Sequence, residues 1–154
     1  MEASRPAGEH DIAQIVELAV ALRAELSDMR GGAVWVERDA WPEPLTDAYR
    51  ALLARDDAHI VVGTIDDVVV GFGAAVVESL RSGAHLGAIT DLYVDDQARE
   101  VGVGEAIIDS LIAFCADSGC IGIDAVALPG HRATKNFFEE HHFTARMLVM
   151  HHRL

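Results

Sequence analysis

One stretch of the sequence, residues 86–119, constrains the fold more than any other. An apolar run over residues 86–94 is followed by a short polar loop and then by Gly102-Val103-Gly104. Behind the glycines, apolar residues recur at helical intervals, and Gly119 stands where a glycine commonly ends a helix. The stretch therefore predicts a strand, a loop and a helix in direct succession.

The junction between this strand and this helix has the properties of an anion-binding site. Free N–H groups at the start of a helix point in one direction and carry partial positive charge. Glycines there let the backbone approach an anion without interference from a Cβ atom. The arrangement predicts a cradle for a pyrophosphate group.

The spacing of the glycines excludes two common phosphate-binding motifs. A Rossmann fingerprint requires a third glycine where Ile107 stands, and a P-loop requires Gly-Lys followed by Ser or Thr. What remains is Arg-x-x-Gly-x-Gly, formed by Arg99, Gly102 and Gly104, after a strand that ends in Leu92-Tyr93-Val94.

The other patterns give the element order β-α-α-β-β-β-α-β-α-β. Strands are predicted over residues 2–7, 59–65, 68–77, 86–94, 121–128 and 143–151. Helices are predicted over residues 12–27, from about residue 46, after Gly104, and over residues 133–141. Hairpins followed by a β-α-β crossover predict a mixed, mainly antiparallel sheet with helices on its faces, in a single domain over residues 1–154.

Local chemistry refines these elements. Asp11 has the position of an N-cap, with a glutamine at capping-box spacing. Asp66-Asp67 joins two strands as a hairpin turn, and Gly71 and Gly73 in the second strand indicate a bulge or a close backbone approach. The near-continuous apolar run over residues 121–128 is typical of a buried strand.

The Arg-x-x-Gly-x-Gly segment resembles the signature of the GNAT superfamily of N-acetyltransferases, Gln/Arg-x-x-Gly-x-Gly/Ala, between their fourth strand and third helix. The resemblance covers essentially residues 5–154 and is strongest over residues 88–143. It implies the GNAT fold, an α/β (α+β) arrangement in which about six to seven strands form a mixed, mainly antiparallel central sheet flanked by about four helices.

The resemblance also implies acetyl-coenzyme A as cosubstrate. In the family the loop holds the pyrophosphate through backbone amides, and the preceding strand binds the pantetheine arm through its backbone. The cofactor-binding residues expected on this basis are Leu92, Tyr93, Val94, Arg99, Glu100, Val101, Gly102, Val103, Gly104, Glu105 and His131.

The C-terminal part matches the family only in part. Of the pattern Asn-x-x-Ala-x-x-Leu-Tyr-Glu-x-x-Gly-Phe, the matching residues are Phe137, Glu139 and Phe143. The departures are His131, Thr134, Phe138 and His142. Phe138 stands where many members have a tyrosine whose hydroxyl protonates the departing thiolate, and phenylalanine cannot donate a proton.

The implied reaction is direct attack of an amine on a thioester, for which a base is useful. Asp91 and Tyr93 share one face of a strand because they lie two residues apart. Asp91 is the first candidate for contact with the amine or for its deprotonation, although a hydrogen-bonded structural carboxylate has the same pattern. Glu78 is the second candidate. The Tyr93 hydroxyl is a further candidate, for protonation of the thiolate.

Other polar and aromatic residues have two interpretations each. His131 lies beside the pantetheine arm or on a surface loop. Trp35 and Trp41, in an irregular segment over residues 29–44, line an acceptor pocket or pack in the core. The paired histidines near the C-terminus lack the spacing of known metal sites, so no metal is expected.

The composition limits which partners the chain is expected to bind. A net charge of −13 disfavours binding to nucleic acid and to anionic membranes. No apolar run is long enough to cross a membrane, no signal peptide is recognisable, and two cysteines are too few for a disulfide scaffold. We therefore expect a cytoplasmic protein. The resemblance implies that it acts on a small-molecule amine or a peptide and leaves a homodimer open. The alternative is a catalytically weak acyl-coenzyme A-binding sensor or regulatory protein, which Phe138 favours.

Overall fold

A five-stranded sheet forms the centre of the computed structural model, which describes residues 1–154. The strands are β1 (Glu2–Pro6), β2 (Ala58–Ile65), β3 (Val68–Ser79), β4 (His85–Val94) and β5 (Cys120–Ala125). Their order in the sheet is β1-β2-β3-β4-β5; the first four pair antiparallel, whereas β4 and β5 pair parallel. The sheet is mixed and mainly antiparallel, as predicted.

Helices cover both faces of this sheet. They are α1 (Ile12–Ser27), α2 (Gly32–Val34), α3 (Leu45–Leu53), α4 (Val103–Asp117) and α5 (Arg132–Glu140), with a π-helical turn over Trp35–Asp39 after α2. Apolar side chains of α1 and α3 pack on one face, and those of α4 and α5 pack on the other. No helix has both the length and the apolar character needed to cross a membrane.

Helix α4 lies very close to the backbone of the sheet. A Cβ atom on Gly73 would lie 2.6 Å from Cγ2 of Ile107, and one on Gly63 would lie 2.5 Å from Cγ1 of Val103. The predicted close backbone approach at Gly73 is therefore confirmed. Ile107 and Val103 are completely buried in this contact. Each such side chain stabilises the fold by roughly 2–3 kcal/mol relative to an exposed position.

Two predicted turns have the expected backbone. Asp66 and Asp67 join β2 to β3 with φ of 46° and 68°, the left-handed conformation that a two-residue type I′ hairpin turn requires. Gly119 has φ of 75° and follows the end of α4. Residues with short polar side chains, or with none, adopt this conformation at the lowest cost, so these two positions were predictable from residue type.

Asp11 is the N-cap residue of α1, as predicted, but the capping box with Gln14 does not form, since no side chain caps this helix. The carboxylate of Asp11 does not cap that helix but belongs to the 3₁₀ turn before it. It accepts hydrogen bonds from the Gly8 N–H at 2.8 Å and from the Arg5 guanidinium at 2.7 and 2.9 Å. The guanidinium and the N–H hold the pKa of this buried carboxyl below its usual range. The residue therefore fixes β1 to the entry of α1.

The C-terminal part differs most from the prediction. Strand β5 lies at an edge of the sheet, and Ile121 is 72% exposed, so the strand is not buried. No strand forms over residues 143–151, and residues 144–154 are all exposed. The sheet accordingly has five strands instead of six to seven. The fifth helix, beyond the expected four, is the three-residue α2.

Candidate active site

Strands β4 and β5 separate at their carboxyl ends. Their pairing runs from His85 with Cys120 to Ile89 with Ala125 and ends there. Strand β4 continues to Val94, and over residues 90–94 its side toward β5 has no strand partner. The result is a wedge between the two strands, with unpaired backbone groups of β4 along one wall.

A β-bulge at Thr90 decides which way the side chains of β4 point. The register pairs Ala74 with Asp91 and Ala75 with Ile89, which leaves Thr90 as an extra residue. In a regular strand Ile89 and Asp91 would share a face. Here Ile89 packs against α4, whereas Asp91 bonds to a side chain of α3 on the other face. Tyr93 joins the same cluster as α1 and α3, so Asp91 and Tyr93 share a face as predicted.

The start of α4 adjoins this wedge and is left open. Gly102 is the N-cap with φ of 95°, and no side chain caps the helix. The first-turn N–H groups of Val103, Gly104 and Glu105 therefore have no partner within the helix. Gly104 lies at the end of β4, since a Cβ atom on it would lie 3.9 Å from Cγ2 of Val94. The N-terminal end of α4, which carries partial positive charge, thus faces the point where β4 and β5 separate.

Arg99 holds the loop between β4 and α4 in place. Its Nε donates to the carbonyl oxygen of Val94 at 2.8 Å, and its Nη atoms bond to Glu25 at 3.1 and 3.2 Å and to Asp96 at 2.8 Å. The guanidinium also lies over the ring of Tyr93, 5.3 Å from its centroid. These contacts tie the loop to α1 and to β4. Glu100, the next residue in this loop, adopts a left-handed backbone with φ of 66°.

The two glycines of the motif have different structural roles. Gly102 adopts a left-handed backbone with open space around it, since a Cβ atom would meet only Cγ of Glu2 at 3.8 Å. Gly104 has helical backbone but a close neighbour, because a Cβ atom would lie 3.2 Å from the ring of Phe137. Gly102 therefore gives the loop its conformation, and Gly104 lets α5 approach α4.

A cavity of about 270 Å³ is built around the wedge. Its walls come from β4, from the chain after β5, from α1 and from α5, and it contains three carboxylates and no lysine or arginine. The polar lining residues are Asp39, Glu78, Thr90, Asp91, His131 and Thr134. Such a lining attracts cations.

Asp91 is a buried member of this lining, only 5% exposed. Its Oδ1 accepts a hydrogen bond from the Tyr49 hydroxyl at 2.8 Å. Its Oδ2 accepts from Nε1 of Trp41 and from Oγ1 of Thr90, both at 2.9 Å. Burial raises the pKa of Asp91, against the opposing effect of the three hydrogen bonds. Burial and the adjacent carboxylate also raise the pKa of Tyr49.

The carboxylate of Glu78 differs from that of Asp91 in its exposure and its hydrogen bonding. It lies near the end of β3, opposite Leu86 of β4, and is exposed. No side chain or backbone donor binds its carboxylate, whereas Asp39 is engaged by Arg38 at 2.9 Å. Glu78 is therefore the carboxylate in the cavity that has no hydrogen-bond donor from the chain.

The remaining predicted residues divide between the cavity and its surroundings. His131 lines the cavity and lies 3.1 Å from Oγ1 of Thr134. Phe138 is 7% exposed and also forms part of the wall. Tyr93 does not line the cavity, and burial raises its pKa. Trp35 lies both in the core cluster and in the cavity wall.

Sequence reasoning missed the groups that hold the site together. Tyr49 and Trp41 reach Asp91 across 42 and 50 residues, and Glu25 reaches Arg99 across 74. Trp41 carried some signal, because an indole in an irregular segment needs a partner for its N–H. Glu25 and Tyr49 lie on ordinary amphipathic helices, where nothing in the sequence distinguishes them.

Comparisons with known proteins agree with this geometry. A putative acetyltransferase from Agrobacterium tumefaciens has the same fold, with 18% identity, 99% of each chain covered and a TM-score of 0.75. Glucosamine-6-phosphate N-acetyltransferase from Arabidopsis thaliana has 19% identity over 99% of this chain and 98% of that one, with a TM-score of 0.73. An aminoglycoside acetyltransferase from an uncultured soil metagenomic sample, solved with sisomicin, has 19% identity over 99% and 95%, with a TM-score of 0.73.

The fold is thus that of acetyltransferases. The sequence itself matches the Acetyltransferase (GNAT) family over residues 19–143, and the chain belongs to that family. A search of curated proteins finds no sequence match. The family and the fold class predicted from Arg99, Gly102 and Gly104 are therefore confirmed.

Proposed function

We propose that residues 1–154 form one acetyl-coenzyme A-dependent N-acetyltransferase domain, which acetylates a primary amine of a small molecule or peptide. The observation that supports this most is the wedge between β4 and β5 with the open start of α4 beside it. A wedge with unpaired backbone suits an extended arm that carries amide groups, and an uncapped helix start suits a pyrophosphate. Family membership supports the acyl-transfer part of the proposal.

The cofactor would be held by backbone groups on two elements. The backbone of β4 over Leu92, Tyr93 and Val94 runs along the wedge and would bind the pantetheine arm through the groups that face it; the carbonyl oxygen of Val94 already accepts a hydrogen bond from Arg99. The N–H groups at the start of α4 would bind the pyrophosphate, with the loop over residues 99–102 shaped by the contacts of Arg99. His131, at the cavity, would lie beside the reactive end. When bound, acetyl-coenzyme A supplies the acetyl thioester.

The acceptor we propose is a cationic amine. Three carboxylates and no basic side chain except His131 line the cavity, so a positively charged substrate is attracted. Hydrogen bonds from three side chains favour the carboxylate form of Asp91 and oppose the effect of burial, which raises its pKa. One oxygen of Asp91 accepts a single hydrogen bond and has acceptor capacity left for an ammonium.

Glu78 is the proposed general base. A protonated amine cannot attack, so a group at the cavity must remove a proton, directly or through water. The Asp91 carboxylate is already engaged by three donors, whereas Glu78 is exposed to the cavity and has none. Sequence reasoning ranks Asp91 above Glu78 as the candidate base, and this proposal reverses that order. Because Phe138 has no hydroxyl and Tyr93 lies outside the cavity, water is the proposed proton donor to the thiolate.

A second candidate function is binding of acyl-coenzyme A without efficient turnover. The observation in its favour is the buried phenyl ring of Phe138 in the cavity wall, and no tyrosine lines the cavity. Such a protein would act as a sensor or regulatory partner. It would use the same wedge and the same helix start, so only turnover separates it from the enzyme.

The first experiment is calorimetric titration with acetyl-coenzyme A, with NAD and ATP as controls, followed by thiol release across a panel of polyamines, aminoglycosides and basic peptides. Micromolar binding that is selective for acetyl-coenzyme A, with turnover of an amine, supports the enzyme. Binding with no thiol release supports the sensor. Absence of binding to a folded chain contradicts both.

Substitution of Glu78 by Gln tests the base. The expected kcat falls by about 100-fold, because general base catalysis contributes 100-fold or more, while the acetyl-coenzyme A Kd stays unchanged. Asp39→Asn is the matched control, because Asp39 lies in the same cavity but is paired with Arg38. Retention of more than half of kcat in Glu78→Gln would return the role to Asp91.

A further inference from the structure

The two cysteines of the chain lie together where α4 ends and β5 begins. Cys115 is in the last turn of α4, and Cys120 is the first residue of β5. Both pack in the same apolar cluster between α4 and the sheet. Neither lines the cavity of the candidate active site, so the proposed acyl transfer has no role for them.

The backbone of the sheet brings the two thiols close to each other. The sulfur of Cys115 packs on Gly87 of β4, since a Cβ atom on that glycine would lie 2.6 Å from it. Gly87 pairs with Ile123 of β5, and two residues earlier on β4 His85 pairs with Cys120. The sulfur of Cys115 therefore lies beside the beginning of β5, which starts with the second cysteine.

The two thiols differ in their exposure to solvent. Cys115 is completely buried, and burial, together with the adjacent thiol of Cys120, raises the pKa of Cys115 to about 11. It therefore stays protonated at neutral pH and is inert toward an oxidant in solution. Cys120 is only half-buried and can be reached. The pair combines an accessible thiol that can be oxidised with a protected thiol that can attack the oxidised sulfur.

A histidine with an unused ring nitrogen lies next to the accessible thiol. His85 and Cys120 are direct partners on adjacent parallel strands, which lie about 4.8 Å apart. Nδ1 of His85 is the one buried side-chain nitrogen or oxygen atom that has no hydrogen-bond partner in the chain. Buried polar atoms almost always have a partner, so an unpaired one needs an explanation. A ring nitrogen at this position can accept the proton of the Cys120 thiol.

We propose that hydrogen peroxide converts Cys120 and Cys115 into a reversible disulfide, with His85 as the proton acceptor for Cys120. The Cys120 thiolate attacks one peroxide oxygen, the O–O bond breaks, and the departing hydroxide takes the proton from His85 to form water. The product is a sulfenic acid on Cys120. The sulfur of Cys115 then attacks that of Cys120, the S–O bond breaks, and the leaving hydroxide takes the Cys115 proton. Two thiols are thereby oxidised to one disulfide, and one peroxide is reduced to two waters.

The disulfide joins the end of α4 covalently to the start of β5. Strand β5 pairs with one neighbour only, β4, and forms one wall of the wedge. The bond therefore restricts the movement of that wall relative to α4. A small-molecule dithiol returns both residues to thiols by exchange, which makes the modification reversible.

Thiol counting and mass spectrometry on the purified protein give the first test. After treatment with hydrogen peroxide, the number of free thiols in the unfolded chain is expected to fall from two to zero, with the loss of two hydrogen atoms per chain. Dithiothreitol should restore both thiols. A disulfide between two chains, a sulfinic acid on Cys120 with Cys115 still a thiol, or no reaction would overturn the proposal.

Single substitutions separate the roles of the two cysteines. Cys115→Ala is expected to stop the reaction at the sulfenic acid, which dimedone labels at Cys120. Cys120→Ala is expected to leave Cys115 unreacted, because burial protects it. Labelling of Cys115 in the second variant, or no labelling of Cys120 in the first, contradicts the assigned order. Since Cys120 is only half-buried, Cys120→Ala decides the question if the buried Cys115→Ala variant does not fold.

His85→Phe tests the proton acceptor. Disulfide formation is expected to slow by at least about 10-fold, because a positioned base accelerates proton removal by this factor or more. His59→Phe is the matched control, since His59 is a second half-buried histidine that stacks on Phe114, with 4.9 Å between the ring centroids, and lies on a strand that does not pair with β5. Equal rates in the two variants would remove His85 from the mechanism.

Discussion

Neither α1 nor α4 has a side-chain cap, but the two helices begin in different surroundings. At the entry to α1 the chain supplies its own anion, the Asp11 carboxylate, which Arg5 and the Gly8 N–H hold in place. At the start of α4 it supplies a left-handed glycine, Gly102, and no capping side chain. Helix starts favour negative charge. The chain can therefore supply an internal anion at a helix entry. The start of α4, which has no capping side chain, is open to an external anion.

Closing the start of α4 with a carboxylate removes the difference between the two helices. Gly102→Asp is expected to weaken acetyl-coenzyme A binding by at least 100-fold, about 2.7 kcal/mol, because the new charge occupies the helix start. Gly102→Asn, which tolerates the same left-handed backbone without a charge, should weaken it by less than about 10-fold. Calorimetry measures both. Gly119→Asp, at a left-handed glycine beyond the other end of α4, is the control. Equal affinity of the Asp and Asn variants would show that charge at this point is irrelevant.

Glu25 links α1 to the loop that precedes α4, so its removal tests how the open start is supported. Glu25→Gln leaves Arg99 bonded to Val94 and Asp96 only. If Arg99 positions the loop, the acetyl-coenzyme A Kd rises by up to about 5-fold, since partly exposed ion pairs contribute at most about 1 kcal/mol. If Arg99 instead contacts the pyrophosphate, release from Glu25 tightens binding. The sign of the change in the titration decides between the two roles, and we expect weaker binding.

Removing the anion before α1 should affect stability alone. The folded-state pKa of Asp11 is below its ordinary value of 3.8, so its contribution is present above that value and is lost as the pH falls through the lower, folded pKa. Asp11→Asn is expected to lower the free energy of unfolding by about 1–2 kcal/mol at pH 7. This is a modest figure because the Arg5 side chain is 42% exposed and solvent screens the pair.

Denaturant unfolding of wild type and Asp11→Asn at pH 7 and at pH 3 measures this effect. The two curves should approach each other at low pH, where the wild-type carboxylate also becomes protonated. Acetyl-coenzyme A affinity should be unchanged at pH 7. A difference in stability that is independent of pH would mean that the Asp11 charge has no part in it.

Local sequence signals predicted those parts of the fold that local chemistry controls. The Asp66-Asp67 turn, the helix after Gly102 and the end of α4 at Gly119 each depend on a few neighbouring residues. The loop around Gly102 was predictable for the same reason. The positions of Asp91 and Glu78 in one cavity followed from strand pairing in the family fold rather than from either residue.

What the sequence left open depends on contacts between distant residues. The bulge at Thr90 places Ile89 and Asp91 on opposite faces of the sheet, and no residue type in the sequence predicts it. The burial expected for residues 121–128 assumed a neighbouring strand, which the single chain does not provide. The same error accounts for the strand predicted over residues 143–151, whose apolar pattern needs a partner edge before it can pair.

The glycines beneath α4 limit which substitutions the protein tolerates, even at positions outside the site. At Gly63 and Gly73 there is no room for even one carbon atom between the sheet and the helix. The spacing between these two layers therefore sets the height of the helix start relative to the end of β4. A methyl group at Gly73 would act as a spacer and would be expected to lower both stability and acetyl-coenzyme A affinity, from a position that touches no ligand. Residues far from a binding loop can thus determine its alignment simply by being small.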